Sequence, residues 1–169
     1  MEKILRGIDA ISIWAGKIFS WLIIPLIAIV AYDVIIRKIY RATIWSYDTS
    51  LWLYSGIFLL GAAWILQQRS HIRIDVIWQR YPPRAKAIFE LCWFLALLFT
   101  LSFVVFIYGG EYAWIAWVDK ESSIYTPWEP PLWHFKAIAP VAFLLLILQG
   151  IAEFIRNLKV AIKGKQVGA

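Results

Sequence analysis

The sequence predicts an all-α integral membrane protein with four transmembrane helices. Hydrophobic residues make up 62% of the 169 residues, against roughly 45–50% in soluble domains, and the mean hydropathy is +0.68. Four apolar segments, at about 11–36, 48–66, 87–117 and 133–155, each approach the roughly 20 residues that cross the hydrocarbon layer. Lipid offers no hydrogen-bond partners, so we expect helices, and the alternating pattern of a barrel is absent. We treat residues 1–169 as one membrane domain.

The first apolar segment is expected to stay in the protein as a membrane anchor. It is longer than the roughly 7–15 residues of a signal-peptide core, and it lacks an A-x-A-like ending. The third segment is long enough to tilt or to extend beyond the bilayer.

A polar stretch, Gln67 to Lys86, connects the second and third apolar segments. It predicts an interfacial amphipathic helix at about 72–81, because apolar residues recur there at i, i+3, i+4 and i+7: Ile74, Ile77, Trp78 and Tyr81. A strand is the alternative, since Ile72, Ile74 and Val76 alternate with charged residues, but its open edge beside lipid would leave backbone groups unsatisfied. Pro82 and Pro83 are expected to end the segment.

The placement of Lys and Arg predicts an orientation with both termini in the cytoplasm. Twelve of the 17 basic residues flank the termini and the polar stretch, and five lie on the other side: Arg37, Lys38, Arg41, Lys120 and Lys136. Because cytoplasmic loops carry the excess of positive charge, the connections near 38–47 and 118–132 are predicted to be external. The three basic residues after the first helix oppose this orientation locally.

Charge and cysteine content exclude several classes of protein. The formal net charge is +6, but long apolar runs interrupt the basic residues, so no basic face for nucleic acid can persist. The single cysteine, Cys92, excludes an internal disulfide and a thiolate metal cluster.

Aromatic residues are concentrated on the predicted external side. They indicate either an interfacial aromatic belt or a protein docking surface, and the two interpretations are compatible. We assign four residues to a candidate external docking face: Trp45, Asp48, Trp128 and Trp133. The second external loop contains three prolines between residues 119 and 131, so we expect it to be rigid.

One acidic residue near membrane depth, Asp33, has an arginine four residues further on, at Arg37. This spacing puts both on one helix face, in the order that suits a helix C-terminus. We predict a structural salt bridge. The alternative is a proton or ion site, which an adjacent arginine would oppose.

The sequence offers no candidate for catalysis or for a cofactor. The two histidines, His71 and His134, are predicted on opposite membrane faces roughly 30 Å apart, so they cannot share a haem or a metal. Hydrolase, zinc-protease and nucleotide-binding motifs are missing. We therefore expect no enzyme, no cofactor and no metal site.

Several motifs together resemble the DctQ family, the small membrane subunit of TRAP (tripartite ATP-independent periplasmic) transporters. They run from about Ala28 to Arg156: Asp33, Val34 and Arg37; Trp45, Ser46 and Asp48; Gly61-Ala62-Ala63 followed by His71-Ile72-Arg73-Ile74-Asp75; Pro82-Pro83; and Pro140. The GAA and HIRID pair is the most specific. One departure is that Tyr47-Asp48 stands where family members often carry paired glutamates.

The resemblance implies a non-catalytic subunit in a bacterial inner membrane, bound to a large DctM-like membrane subunit and to lipids. A periplasmic substrate-binding protein would deliver an organic acid or related solute, and the large subunit would hold the sodium and substrate sites. The small subunit would brace the large one and help the binding protein dock. The alternatives are a self-sufficient homodimeric transporter, with Asp33 as its carboxylate, and a membrane anchor of a respiratory complex.

Overall fold

The computed structural model of the chain describes residues 2–40, 43–68 and 82–163. Its regular elements are all helical: α1 (Glu2–Ser20), α2 (Ile23–Ile39), α3 (Ser46–Gln67), α4 (Pro83–Trp93), a π-helical segment (Phe94–Phe99), α5 (Thr100–Val118) and α6 (Trp133–Lys163). In these ranges they form four spans long and apolar enough to cross a membrane: Lys3–Ile39, Ser46–Gln67, Ile88–Val118 and Trp133–Ile162. The all-α class with four membrane helices is confirmed, while the orientation stays a prediction.

The first span differs from the predicted helix at 11–36, because it begins at the N-terminus of α1 and contains a break. Two turn residues separate α1 from α2. Pro25, the third residue of α2, has no amide hydrogen to donate to the carbonyl of Trp21. That carbonyl instead accepts from the amide of Ile24, at 3.2 Å, which tightens the chain into a short turn. The proline therefore accounts for the break.

The other spans lie close to the predicted segments. The last helix continues beyond residue 155 to Lys163, because neither glycine nor proline interrupts the sequence there. Pro82 has extended backbone angles and Pro83 is the first residue of α4, the helical position that proline suits best. The predicted interfacial helix at about 72–81 lies outside the described residues, and so do His71, Arg73 and Asp75.

The central helix of the bundle is α6. In its most apolar stretch 39% of the residues are buried, against 6% for the first span and 11% for the third. It packs against α1, α3, α4 and α5, whereas α2 packs on α3. Small residues at the contacts, such as Ala63, Ala116, Ala142 and Ala152, are buried, which lets helix backbones approach closely inside a membrane. The outer faces of α2 and α5 are left exposed.

The helices α1 and α3 approach each other closely at Gly16. A Cβ atom added there would lie 2.4 Å from the Cβ of Trp64, an atom fixed to the backbone of the facing helix. We expect Gly16→Ala to force the two helices apart and to lower the free energy of unfolding by about 2–3 kcal/mol. The apparent unfolding midpoint of the purified chain in detergent measures this effect.

Gly7, on the same helix, supplies the matched control. No heavy atom lies within 4 Å of a Cβ added at that position. Since alanine is the better helix former, Gly7→Ala should raise stability by up to about 1 kcal/mol. Equal midpoints for the two variants would contradict the proposed close approach.

Candidate functional site

The polar residues of the bundle gather at its two ends. One end, here called the loop end, carries residues 43–45 and the loop 119–132, and α2, α3, α5 and α6 all meet there. The other, here called the terminal end, brings the first turns of α1 against the last turns of α6. By the charge distribution described above, the loop end is the predicted external side.

At the loop end, Asp33 joins the last turns of α2 to the start of α3. Its Oδ2 accepts a hydrogen bond from Arg37 Nη2 at 2.6 Å. Its Oδ1 accepts from the Ser46 hydroxyl at 2.8 Å, from the Thr43 hydroxyl, and from the Thr43 amide at 3.4 Å. Both carboxylate oxygens are thus occupied by protein donors, an arrangement suited to a structural role rather than to carrying an ion.

Asp48, predicted on the docking face, lies instead inside the loop end. Asp48 is only 1% exposed. The Ser123 hydroxyl donates to Oδ1 at 2.8 Å, and the Thr126 hydroxyl donates to Oδ2. Because Asp48 is in the first turn of α3, the positive end of that helix also favours its charge. This carboxylate therefore anchors the loop 119–132 from inside the bundle and is not part of the exposed surface.

The loop itself is closed by backbone hydrogen bonds. The amide of Ser123 donates to the carbonyl of Pro130 at 2.9 Å, and the amide of Leu132 donates to Glu121 at 2.9 Å. The Glu121 carboxylate also pairs with Lys136 of α6. With both of its ends tied to neighbouring helices, the loop holds its side chains in fixed positions.

Apolar side chains project from this loop and its surroundings. Ile124 and Tyr125 are 89% and 68% exposed, and Trp128 is 45% exposed. They sit beside the two hydroxyl residues that Asp48 holds. We call Trp45, Ile124, Tyr125 and Trp128 the loop-end surface. Sequence reasoning named the two tryptophans for docking but did not single out Ile124, whose exposure becomes evident only once Ser123 and Thr126 are seen to point inward.

Two of the predicted docking residues, Trp133 and Trp45, also make ring contacts within the bundle. Trp133 stands edge-on to Trp117 with ring centroids 4.5 Å apart, and it stacks on His134. Trp45 stacks on Tyr32 at 6.2 Å and is 36% exposed. Trp133 therefore contributes to the α5–α6 contact more than to an outer face.

The terminal end holds a polar network that sequence reasoning missed. Gln149 is completely buried; it accepts from the Ser12 hydroxyl at 2.8 Å and donates to Asp9 at 3.0 Å. Arg156 donates to both Asp9 and Glu153. The signal was present, since Gln149, Glu153 and Arg156 recur at i, i+4 and i+7 and so form one polar stripe on α6. The network fixes α1 on α6.

The described residues include no cluster that could hold a metal ion, and a groove on their surface is apolar. No group of three or more His, Cys, Asp or Glu side chains there could hold a metal ion. An open groove along α2 is lined by apolar side chains alone: Leu26, Ile27, Val30, Ala31, Val34 and Ile35. Such a surface suits the acyl chains of lipid and not a polar solute.

Comparison with known proteins places these features in a family. The model of the family described as "Tripartite ATP-independent periplasmic transporters, DctQ component" matches residues 26–160. A search of curated proteins and a search of solved structures found no match.

Proposed function

The chain belongs to the DctQ family of TRAP transporter components, and from this premise we propose that it is the non-catalytic small membrane subunit of a sodium-driven transporter importing an organic acid or related solute. It resides in a bacterial inner membrane as a multi-pass protein. Its partners are the large, DctM-like membrane subunit and a periplasmic substrate-binding protein. Its own role is to brace the large subunit and to help the binding protein dock.

The observation that carries this proposal is that the carboxylates inside the bundle serve structural contacts. Asp33 and Asp48 each bind donors through both oxygens. Intramembrane carboxylates of a transporter must exchange their partners for an ion or a proton during the cycle. Here such an exchange would detach α3 from α2 or from the loop 119–132. A bracing role fits these contacts better than a self-sufficient transporter does.

Reconstitution tests the proposal. Proteoliposomes would hold the chain alone, the large subunit alone, or both, with an inward sodium gradient, the binding protein outside and a radiolabelled organic acid. We expect sodium-dependent uptake when both subunits and the binding protein are present, and none with the chain alone. Uptake by the chain alone would overturn the proposed role. Full uptake by the large subunit in the absence of this chain would show that the chain is not needed as a brace.

The loop-end surface leads to a prediction about docking. Trp128 rests against Trp52, with ring centroids 6.2 Å apart, and is 45% exposed. Partly exposed tryptophans on a fixed support are common binding hot spots, so Trp128→Ala should raise the binding-protein concentration needed for half-maximal uptake about tenfold. The maximal rate at saturating binding protein should change little.

Trp14 is the matched control for this measurement. It is 71% exposed on α1, on the part of the bundle away from the loop end. Trp14→Ala should leave the dependence on binding-protein concentration unchanged. An unchanged dependence in Trp128→Ala as well would count against docking at the loop-end surface.

A further inference from the structure

Glu111 has a position unlike those of the carboxylates just described. It lies on α5 inside the span Ile88–Val118, about 10 Å along the helix axis from Val118. Its side chain is on an exposed part of the helix. It forms no hydrogen bond or ion pair with any residue in the described parts of the chain. It is thus an outward-facing carboxylate about two turns from the end of a membrane-spanning helix.

The residues around Glu111 form one exposed stripe along α5. Ile107, Tyr108, Trp114 and Ile115 lie three or four positions away and are 59%, 66%, 67% and 41% exposed. Residues at these spacings share a helix face. We call these five residues the Glu111 face.

No cation in the described ranges compensates this charge. Lys136 on α6 packs against α5, but its ammonium group pairs with Glu121 and lies 3.6 Å from the ring centroid of Tyr112. Arg156 forms ion pairs with Asp9 and Glu153 at the terminal end. The charge on Glu111 is therefore available to a group outside the described residues.

Lipid is a poor environment for such a residue. Ionisable side chains within membrane helices are costly, and they almost always face protein or water and pair with another group. Glutamate is also too short to reach the interface as lysine and arginine do. The aromatic residues beside it supply the large, rigid contacts typical of a protein interface.

We propose that the Glu111 face docks against the large membrane subunit of the transporter, where a lysine or arginine pairs with Glu111. This inference rests on the proposed function, which supplies a partner inside the membrane. A second copy of this chain fits less well, because a symmetric contact through the same face would bring two Glu111 carboxylates together. The Glu111 face thus combines a carboxylate that a basic residue would complement with a large area of exposed apolar side chains.

Photocrosslinking in the intact complex tests which face contacts the large subunit. A photoreactive amino acid is placed at position 114 on the Glu111 face, or at position 27 on the exposed face of α2 as a control. Copurification of the unmodified chain with the large subunit is established first, and its failure would count against the proposed function. With copurification in place, we expect an adduct with the large subunit from position 114 and none from position 27.

Charge substitutions test the ion pair itself. Glu111→Lys should lower recovery of the large subunit more than about tenfold, and Glu111→Gln, which still accepts a hydrogen bond, should lower it less. Asp119→Lys makes the same charge change at the exposed residue just beyond α5 and should leave recovery unchanged. Each variant is first checked for a monodisperse size-exclusion profile.

Three results would overturn the inference while leaving the proposed function standing. One is an adduct between two copies of this chain from position 114. Another is an adduct with lipid alone at that position. The third is copurification that remains unchanged in a well-folded Glu111→Lys variant. Because crosslinking uses a chain that retains Glu111, it decides the question even where the lysine variant fails to fold.

Discussion

Replacing Arg156 with alanine is expected to lower the free energy of unfolding of the isolated chain by about 3 kcal/mol, because it removes the guanidinium group that pairs with two largely buried carboxylates. Arg156 donates to Asp9 on α1 and to Glu153 on its own helix. The Glu153 side chain is 4% exposed and that of Asp9 is 17% exposed. The change also removes the ion pair between α1 and α6, so α1 should become the first part to yield to protease.

The measurement is the unfolding midpoint in detergent, together with limited proteolysis followed by mass spectrometry. Lys159→Ala is the control, since Lys159 is another partly buried cation near the end of α6 and forms no ion pair with the described residues. Arg156→Lys should fall between the wild type and the alanine variant, because one ammonium group cannot match the fork of a guanidinium. An alanine variant as stable as Lys159→Ala would show that the network contributes nothing to folding.

The general architecture could be predicted because the membrane imposes it. Lipid excludes open backbone, so the four long apolar segments in the sequence were sufficient to predict the spans. Local contacts were predictable for a similar reason. Asp33 and Arg37 are four residues apart, and helix geometry alone brings them together.

Contacts between distant parts of the chain could not be predicted in this way. Asp9 and Arg156 are 147 positions apart, and Asp48 and Ser123 are 75 apart. A single sequence gives the periodicity of each helix, but it does not say which helices are neighbours or how far each is displaced along its axis. Asp48 was therefore assigned to an outer face, although the hydroxyls of the loop 119–132 enclose it.

The break after α1 illustrates a third kind of difference. Pro25 lies in the middle of a continuous apolar segment, where a proline can either kink a helix or break it, and the apolar pattern alone does not distinguish the two outcomes. In the structure the helix is broken before Pro25, and the amide of Ile24 donates to the Trp21 carbonyl. Whether the helix breaks depends on packing against neighbouring helices. One such contact is that of Leu22 with α3, where its side chain lies 3.5 Å from the position that a Cβ at Gly56 would take.

Asp48→Ala is expected to release the loop 119–132 and to lower the free energy of unfolding by about 3 kcal/mol. The substitution removes two hydrogen bonds to a buried carboxylate and leaves two hydroxyl groups without their acceptor. The loop should then become accessible to protease, and docking of the binding protein should weaken as the loop-end surface loses its fixed support. Thermal unfolding and timed proteolysis measure the first effect. Uptake at limiting binding protein measures the second.

Ser122→Ala is the matched control, because Ser122 is the exposed neighbour of Ser123 and only its backbone bridges to Pro131. It should behave as wild type. If Asp48→Ala released the loop without weakening docking, the loop-end surface would not be the docking site.

Asp48→Asn separates the two roles of this carboxylate. The amide can still bond both hydroxyls, since a hydroxyl accepts as well as donates, but it loses the negative charge that the N-terminus of α3 favours. If Asp48→Asn lowers the free energy of unfolding by at most about 1 kcal/mol, the larger loss in Asp48→Ala is due to missing hydrogen bonds. A loss equal to that of Asp48→Ala would assign it to charge. A double-mutant cycle with Ser123→Ala then measures how strongly the carboxylate and the Ser123 hydroxyl are coupled, because substitutions at two bonded groups are non-additive.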